Sequence, residues 1–253
     1  MLLSRDHKFL YVHIYKTAGI SVTTALMPFA ASRRQLRVER TLNRVGLSYL
    51  DPIVIRRGSS PRDWISNGLN NVFERMTFLD AHPQPVHDAH RTASEIAAEI
   101  GEEEFRMYFS FAFVRNPWDW QVSLYRFAQE TVVDMRPLLA HARGLAPERR
   151  IYTKLGTFDE YIRWRCEYDL HLQKEWVFAP NGKKLVTFVG RYERLAADFA
   201  EVCQHIGIKA ELPKLNESPT KPRPYQEYYT PETIELVRRA FADDIEEFGY
   251  DFE

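Results

Sequence analysis

Two apolar runs, each breaking into a short polar turn and then a helical pattern, constrain this chain more than any other feature. The first is Phe9-Leu10-Tyr11-Val12-His13-Ile14, followed by Tyr15-Lys16-Thr17-Ala18-Gly19-Ile20-Ser21. The second is Met107 to Val114, followed by Arg115-Asn116-Pro117 and a helical pattern over Trp118 to Ala128. Short runs with so few polar residues read as strands buried on both faces of a parallel sheet. The first helix is expected over Thr17 to Leu26, stopping before Pro28, because proline cannot donate to the helical ladder. Pro117 instead suits a first helical turn, where a missing N–H costs nothing. A third unit is expected as a strand over Leu185 to Val189, a turn at Gly190-Arg191 and a helix from Glu193. There Leu195, Phe199, Val202 and Ile206 keep helical spacing and Gly207 closes the helix. Three such units in series predict an α/β fold with a parallel sheet. The final helix is predicted from Thr230 as cap and Pro231 in the first turn. Ile234, Val237, Phe241, Ile245 and Phe248 form its apolar stripe, and Gly249 ends it.

Composition narrows the partners. An apolar content of 45% over 253 residues supports a full core, and the net charge of −1 argues against nucleic acid or a membrane surface as a partner of the whole molecule. Cys166 and Cys203 lack zinc or redox spacing, which favours a reducing compartment. The first strand begins soon after Met1, leaving no room for a signal peptide, and no apolar run is long enough to span a bilayer. The expectation is a cytoplasmic protein without a transmembrane segment. A single domain is the simplest organisation, with residues 28 to 80 as an inserted region. Seven arginines between Arg33 and Arg57 stand there against Glu39 and Asp51. The region reads either as a cover that attracts an anionic acceptor or as a solvated helix and loop balancing the acidic C-terminal helix.

Each turn carries equipment for an anion. In the first, Lys16 directly follows the strand, hydroxyls stand at Thr17 and Ser21, and Gly19 is expected to permit close backbone approach. Backbone N–H groups at the start of the next helix have no intrahelical partner. This is not the Walker loop, because lysine comes first and no glycine pair precedes it; no carboxylate placed like a magnesium ligand follows. In the second turn, Arg115 ends the strand and Ser123 lies two helical turns on, a guanidinium and a hydroxyl suited to a monophosphate. The alternatives are an ordinary turn with a surface lysine, and a structural Arg115–Asp119 cap. Two anion sites together suggest a ligand with two separate anionic groups.

The stretches His13 to Ser21 and Phe111 to Ser123 resemble the two cofactor-binding motifs of the sulfotransferases that use 3′-phosphoadenosine 5′-phosphosulfate (PAPS). They are most similar to the branch with the carbohydrate and heparan-type O-sulfotransferases. Those enzymes read close to H-I-P-K-T-A-G-T-S in the first motif and F-x-F-V-R-N-P-Y-D-R-x-V-S in the second. Further similar stretches are His90 to Ile96, Val189 to Leu195 and Leu212 to Ser218. The resemblance implies a P-loop-like three-layer fold, with a central parallel sheet flanked by helices and an inserted helical or loop region. It implies that Lys16, Thr17, Ala18, Gly19, Ile20 and Ser21 hold the 5′-phosphosulfate, and that Arg115 and Ser123 hold the 3′-phosphate. Thr220 and Lys221 would add phosphate contacts, with no metal required.

Tyr15 and Ile20 depart from the usual proline and threonine, which alters the stiffness of the loop and removes one hydroxyl. The implied reaction is in-line sulfuryl transfer to a hydroxyl or amine of a carbohydrate, lipid or other small molecule. Lys16 would stabilise the leaving phosphate, and a histidine would act as base: His90 first, then His87, with His13 a further candidate. Trp64, Phe73, Phe78, Trp118, Trp120 and Trp176 are candidates to line an aromatic acceptor site. The competing functions are a small-molecule kinase on a related fold and a non-catalytic nucleotide-binding protein.

Overall fold

The structure, a computed structural model, describes residues 1–30, 90–139, 156–213 and 223–253. The chain divides into two compact units, Met1–Phe113 with Trp176–Glu217, and Val114–Glu175 with Ser218–Glu253. The expected inserted cover falls almost wholly outside the described residues.

The first unit holds a four-stranded sheet of order β1-β2-β3-β4, with β1 at Leu2–Ser4, β2 at Phe9–Val12, β3 at Phe109–Val114 and β4 at Phe188–Arg191. Strand β1 pairs antiparallel with β2 along the edge. Strands β2 and β3 pair in parallel, with Phe9 opposite Phe109 and Val12 opposite Ala112, as their mostly apolar runs predict. Every residue of β2 is buried, so both faces of the sheet are covered. Phe9, Tyr11, Phe111 and Phe113 point into one core with Val22 and Leu26 of helix α1 (Gly19–Ala30) and with Phe199 and Val202 of helix α7 (Leu195–His205). Phe111 and Phe113 meet edge to face at 6.1 Å. Burying each such side chain contributes about 1.5–3 kcal/mol, which makes this cluster the main support of the unit. The architecture is α/β, as the sequence predicts.

Three boundaries differ from expectation, each for a tertiary reason. Helix α1 runs through Pro28 to Ala30. The proline sacrifices one ladder bond near the end, and Ser4 Oγ donates to the Phe29 carbonyl at 2.6 Å, tying the last turn to β1. The strand expected over Leu185 to Val189 enters the sheet later. Lys184 bridges Phe178 and the Leu185 N–H donates to Val177, and the chain joins the sheet where the Thr187 N–H donates to Ser110. Gly190 is no turn; it lies within β4, and a Cβ there would sit 2.5 Å from Phe113 Cε1. The helical stretch predicted from Glu193 begins with a 3₁₀ turn over Tyr192–Arg194, and Gly207 (φ 68°) follows α7 as expected.

Before β3 lie helices α2 (Ala93–Ile100) and α3 (Glu102–Arg106). Thr92 caps α2 by accepting from the Glu95 N–H, while Glu95 accepts from the Thr92 N–H at 2.7 Å.

The second unit is helical. It contains α4 (Pro117–Leu139), α5 (Phe158–Tyr168), α8 (Pro231–Ala240) and α9 (Ala242–Phe248). The short helix α6 (Lys174–Val177) begins in this unit and ends in the other. Pro117 opens α4 as predicted, and the Asn116 side chain caps it by accepting from the Trp118 N–H at 3.1 Å. The single final helix expected from Thr230 is two helices, separated at Phe241 (φ −104°, ψ 23°). The Phe241 ring is fully buried edge-on to Trp120, and the break carries Asp244 into the interior.

Candidate functional site

The first turn is held in an uncommon backbone conformation. Lys16 and Ala18 have φ of 62° and 64°, in the left-handed region that non-glycine residues seldom occupy. Turns of this kind gather successive N–H groups toward one side, which suits an anion, and such strain concentrates at functional loops. Thr17 lies between them, fully buried, its hydroxyl donating to the Ile14 carbonyl at 2.8 Å. That hydroxyl therefore braces the turn. The candidate ligand donors are Lys16, Ser21 and the backbone N–H groups at the start of α1, with Ile20 half-buried beside them.

Gly19 also answers a packing need that its type alone does not reveal. A Cβ at this position would lie 1.5 Å from His13 Nε2, so glycine is required because the His13 imidazole occupies that space. The His13 ring stacks on Tyr11 at 5.7 Å and meets the His90 ring at 4.6 Å.

His90 is held from three directions within the same unit. Its Nδ1 lies 3.2 Å from the His13 carbonyl. The Trp176 Nε1–H donates to the His90 carbonyl at 2.7 Å. Tyr15 stands edge-on to both the His90 ring (5.8 Å) and the Trp176 ring (5.3 Å). A carbonyl only accepts, so Nδ1 carries the proton and the lone pair is on Nε2; the tautomer is assigned from its partner. Residue 90 is exposed as a whole, yet its ring is crowded by these neighbours. The lost hydration pushes the imidazole below its ordinary pKa, outweighing the hydrogen bond to His13. The lowered pKa favours the neutral imidazole at His90, whose ring meets Tyr15 of the Lys16 turn.

The second turn lies in the other unit. Arg115 Nε donates to Asp119 Oδ2 at 2.7 Å, with both side chains mostly buried, so the Arg115–Asp119 pair expected as an alternative is formed. Asp119 fixes the direction of the guanidinium and also competes for its charge. Ser123 is half-buried on α4. His87, Thr220 and Lys221 lie outside the described residues, as do Trp64, Phe73 and Phe78. The remaining candidates for an aromatic acceptor lining are core residues. Trp118 and Trp120 have no exposed surface, Trp118 Nε1 is spent on the Ile234 carbonyl, and Trp176 is buried with its N–H on His90.

Two residues without any motif support the second turn. Gln173 pairs through its side-chain amide with the backbone of Arg115, and Asp244 receives the N–H groups of Gln173 and Lys174. Both are fully buried. Burial pushes the Asp244 carboxyl up to about 6, against the lowering effect of those two N–H donors. Neither residue stands in a recognisable pattern, and only the tertiary structure brings them to Arg115.

Among the described residues no three or more His, Cys, Asp or Glu side chains group so as to hold a metal ion, and no helix is long and apolar enough to cross a membrane.

An α/β sheet with a cationic, left-handed turn between strand and helix is suited to holding an anionic group. Comparison with known proteins makes this specific. The model of the sulfotransferase family matches residues 1–251, and the chain belongs to that family. An uncharacterized protein of Archaeoglobus fulgidus is 28% identical over 118 residues, covering 46% of this chain and 82% of that protein. No solved structure matches.

Proposed function

We propose that the protein transfers a sulfuryl group from PAPS to a hydroxyl, or an amine, of a carbohydrate, lipid or other small molecule, as the carbohydrate branch of the family does. One observation carries the proposal: a neutral histidine of defined tautomer is packed against the strand that leads into the Lys16 turn, within one compact unit. A base beside a cationic anion cradle would meet the two requirements of group transfer to a hydroxyl.

The residues fit the donor. The left-handed turn, the start of α1, Lys16 and Ser21 suit the 5′-phosphosulfate, and Arg115 with Ser123 suits the 3′-phosphate. Thr220 and Lys221 are assigned to the same nucleotide on the resemblance alone. When bound, the donor supplies a sulfuryl group whose S–O bond to phosphate breaks as a bond to the acceptor oxygen forms. Lys16 neutralises the charge that gathers on the phosphate oxygen left behind. His90 takes the acceptor proton at Nε2, and its Nδ1–H stays on the His13 carbonyl, so the imidazolium that forms is already oriented. His87 is the second candidate for this role. The protein contributes position and charge, as in phosphoryl transfer.

Thermal unfolding with added nucleotide tests donor binding. Adenosine 3′,5′-bisphosphate at a hundred times its Kd should stabilise the fold by about 2.7 kcal/mol, and ATP with magnesium should not. Stabilisation by magnesium-ATP alone would favour the kinase reading and refute this one.

A further inference from the structure

Arg115 is the first residue beyond β3, and its backbone is paired from far along the chain. Gln173 Oε1 accepts the Arg115 N–H at 2.8 Å while Gln173 Nε2 donates to the Arg115 carbonyl at 2.8 Å. This two-point pairing copies what a neighbouring strand would offer at that position. Gln173 is itself seated by Asp244, whose Oδ2 accepts the Gln173 N–H and whose Oδ1 accepts the Lys174 N–H, each at 2.8 Å. Asp119 then sets the guanidinium direction from within α4.

A buried carboxylate is a costly way to hold two backbone N–H groups, and a buried glutamine must satisfy both ends of its amide. The glutamine amide is satisfied at Arg115, the residue that the proposed function assigns to an anion, and the carboxylate seats that glutamine. Lys174 lies near Asp243 and Glu247, at 3.8 and 4.0 Å, and Glu175 also acts on Asp244, so the surrounding charge is mixed. Asp244 is held by the Gln173 and Lys174 N–H groups and by the Gln173 side chain, the arrangement of a positioning device.

We infer that Gln173, anchored by Asp244, is a positioning residue that presents Arg115 to the 3′-phosphate of the donor nucleotide. The inference rests on the assignment of Arg115 to the 3′-phosphate under the proposed function. Neither residue touches the nucleotide in this reading. Both act on specificity, setting how strongly the protein prefers a nucleotide that carries a 3′-phosphate over one that does not.

The test is calorimetric titration of the full chain with adenosine 3′,5′-bisphosphate and with AMP, which differ by the 3′-phosphate. The quantity read is the ratio of their Kd values. Wild type should prefer the bisphosphate and Arg115→Ala should abolish the preference. Gln173→Asn keeps the amide but retracts it by one methylene, and should lower the ratio about tenfold or more, as expected for a misplaced charge-assisted contact, while leaving AMP affinity unchanged. Asp244→Asn acts one step further back and should shift the ratio the same way; it carries the test if Gln173→Asn does not fold. An unchanged ratio in the variants overturns the inference. Equal loss of both ligands also overturns it, because a merely structural residue would behave so. Failure of wild type to discriminate, or retained discrimination in Arg115→Ala, refutes instead the assignment of Arg115, and is recognisable before any Gln173 or Asp244 variant is made.

Discussion

Replacing Gly19 with alanine is the sharpest test of how the first turn is built, because two physical effects predict opposite signs. Alanine is favoured over glycine in a helix by about 1 kcal/mol, so without tertiary conflict the variant should be as stable as wild type or more so. The structure predicts the reverse. A Cβ at position 19 would lie 1.5 Å from His13 Nε2, whereas carbon contacts settle near about 3.5 Å, so the ring must retreat by about 2 Å. It has little room to do so. One side is stacked on fully buried Tyr11 and the other meets His90 at 4.6 Å. Overpacking of this kind costs about 1–3 kcal/mol, which in a chain of this size lowers Tm by roughly 2–12 °C. The assay is urea unfolding of Gly19→Ala, His13→Ala and the double variant, analysed as a double-mutant cycle. The alanine should destabilise wild type and be tolerated once the His13 ring is gone, giving a coupling of about 1–3 kcal/mol. Wild-type stability of Gly19→Ala, or an additive cycle, would refute the account of the turn.

Other outcomes follow from the same geometry. Ala18→Gly should leave stability unchanged or raise it by up to about 1 kcal/mol in urea unfolding, since glycine suits φ 64° at no steric cost; a clear loss would contradict the strained turn. Asp244 has its carboxyl raised from 3.8 to about 6 by burial, so the folded state binds its proton more tightly than the unfolded state does. Its contribution is therefore fullest below about pH 4 and is lost as pH rises through 6, a change of about 3 kcal/mol. The difference in unfolding free energy between wild type and Asp244→Asn should move by that order between pH 4 and 7, and a pH-independent difference would exclude the effect. For transfer activity, His90 must be neutral to accept a proton. The rate should fall at a lower pH than an ordinary imidazole would give, because crowding lowers the His90 pKa. His90→Ala should cost about a hundredfold or more and abolish that fall; an unaltered pH–rate profile would remove His90 as the base.

What the chain announces locally was legible, and what depends on distant side chains was not. Pro117, Thr230 and Gly249 mark helix ends through their own backbone chemistry, and each stands where expected. The alternation of apolar strands and helical patterns likewise predicted the α/β sheet. Gly190, expected as a turn, lies within β4, and both Gly19 and Gly190 make room for a ring, His13 or Phe113, that no local pattern announces. The left-handed turn is hidden for a related reason: Lys16 and Ala18 adopt it without being glycine. The final helix hides its break because Phe241 continues the apolar stripe through the change of backbone angle there. Trp118, Trp120 and Trp176, expected as candidates for an acceptor lining, are core residues, as their size favours. Gln173 and Asp244 carry no spacing signal at all. Their partners are backbone groups far away in sequence, which no periodicity records.

The most direct test of the account is sulfuryl transfer itself. Wild type and Lys16→Ala are incubated with PAPS labelled in the sulfuryl group and a panel of carbohydrate, lipid and phenolic acceptors. The account predicts labelled product with wild type and a rate lower by about a hundredfold or more with Lys16→Ala, with the fold intact. Equal transfer by both proteins would remove Lys16 from the chemistry. Firm binding of adenosine 3′,5′-bisphosphate with no Lys16-dependent transfer to any acceptor would contradict the central claim and leave a nucleotide-binding protein in its place.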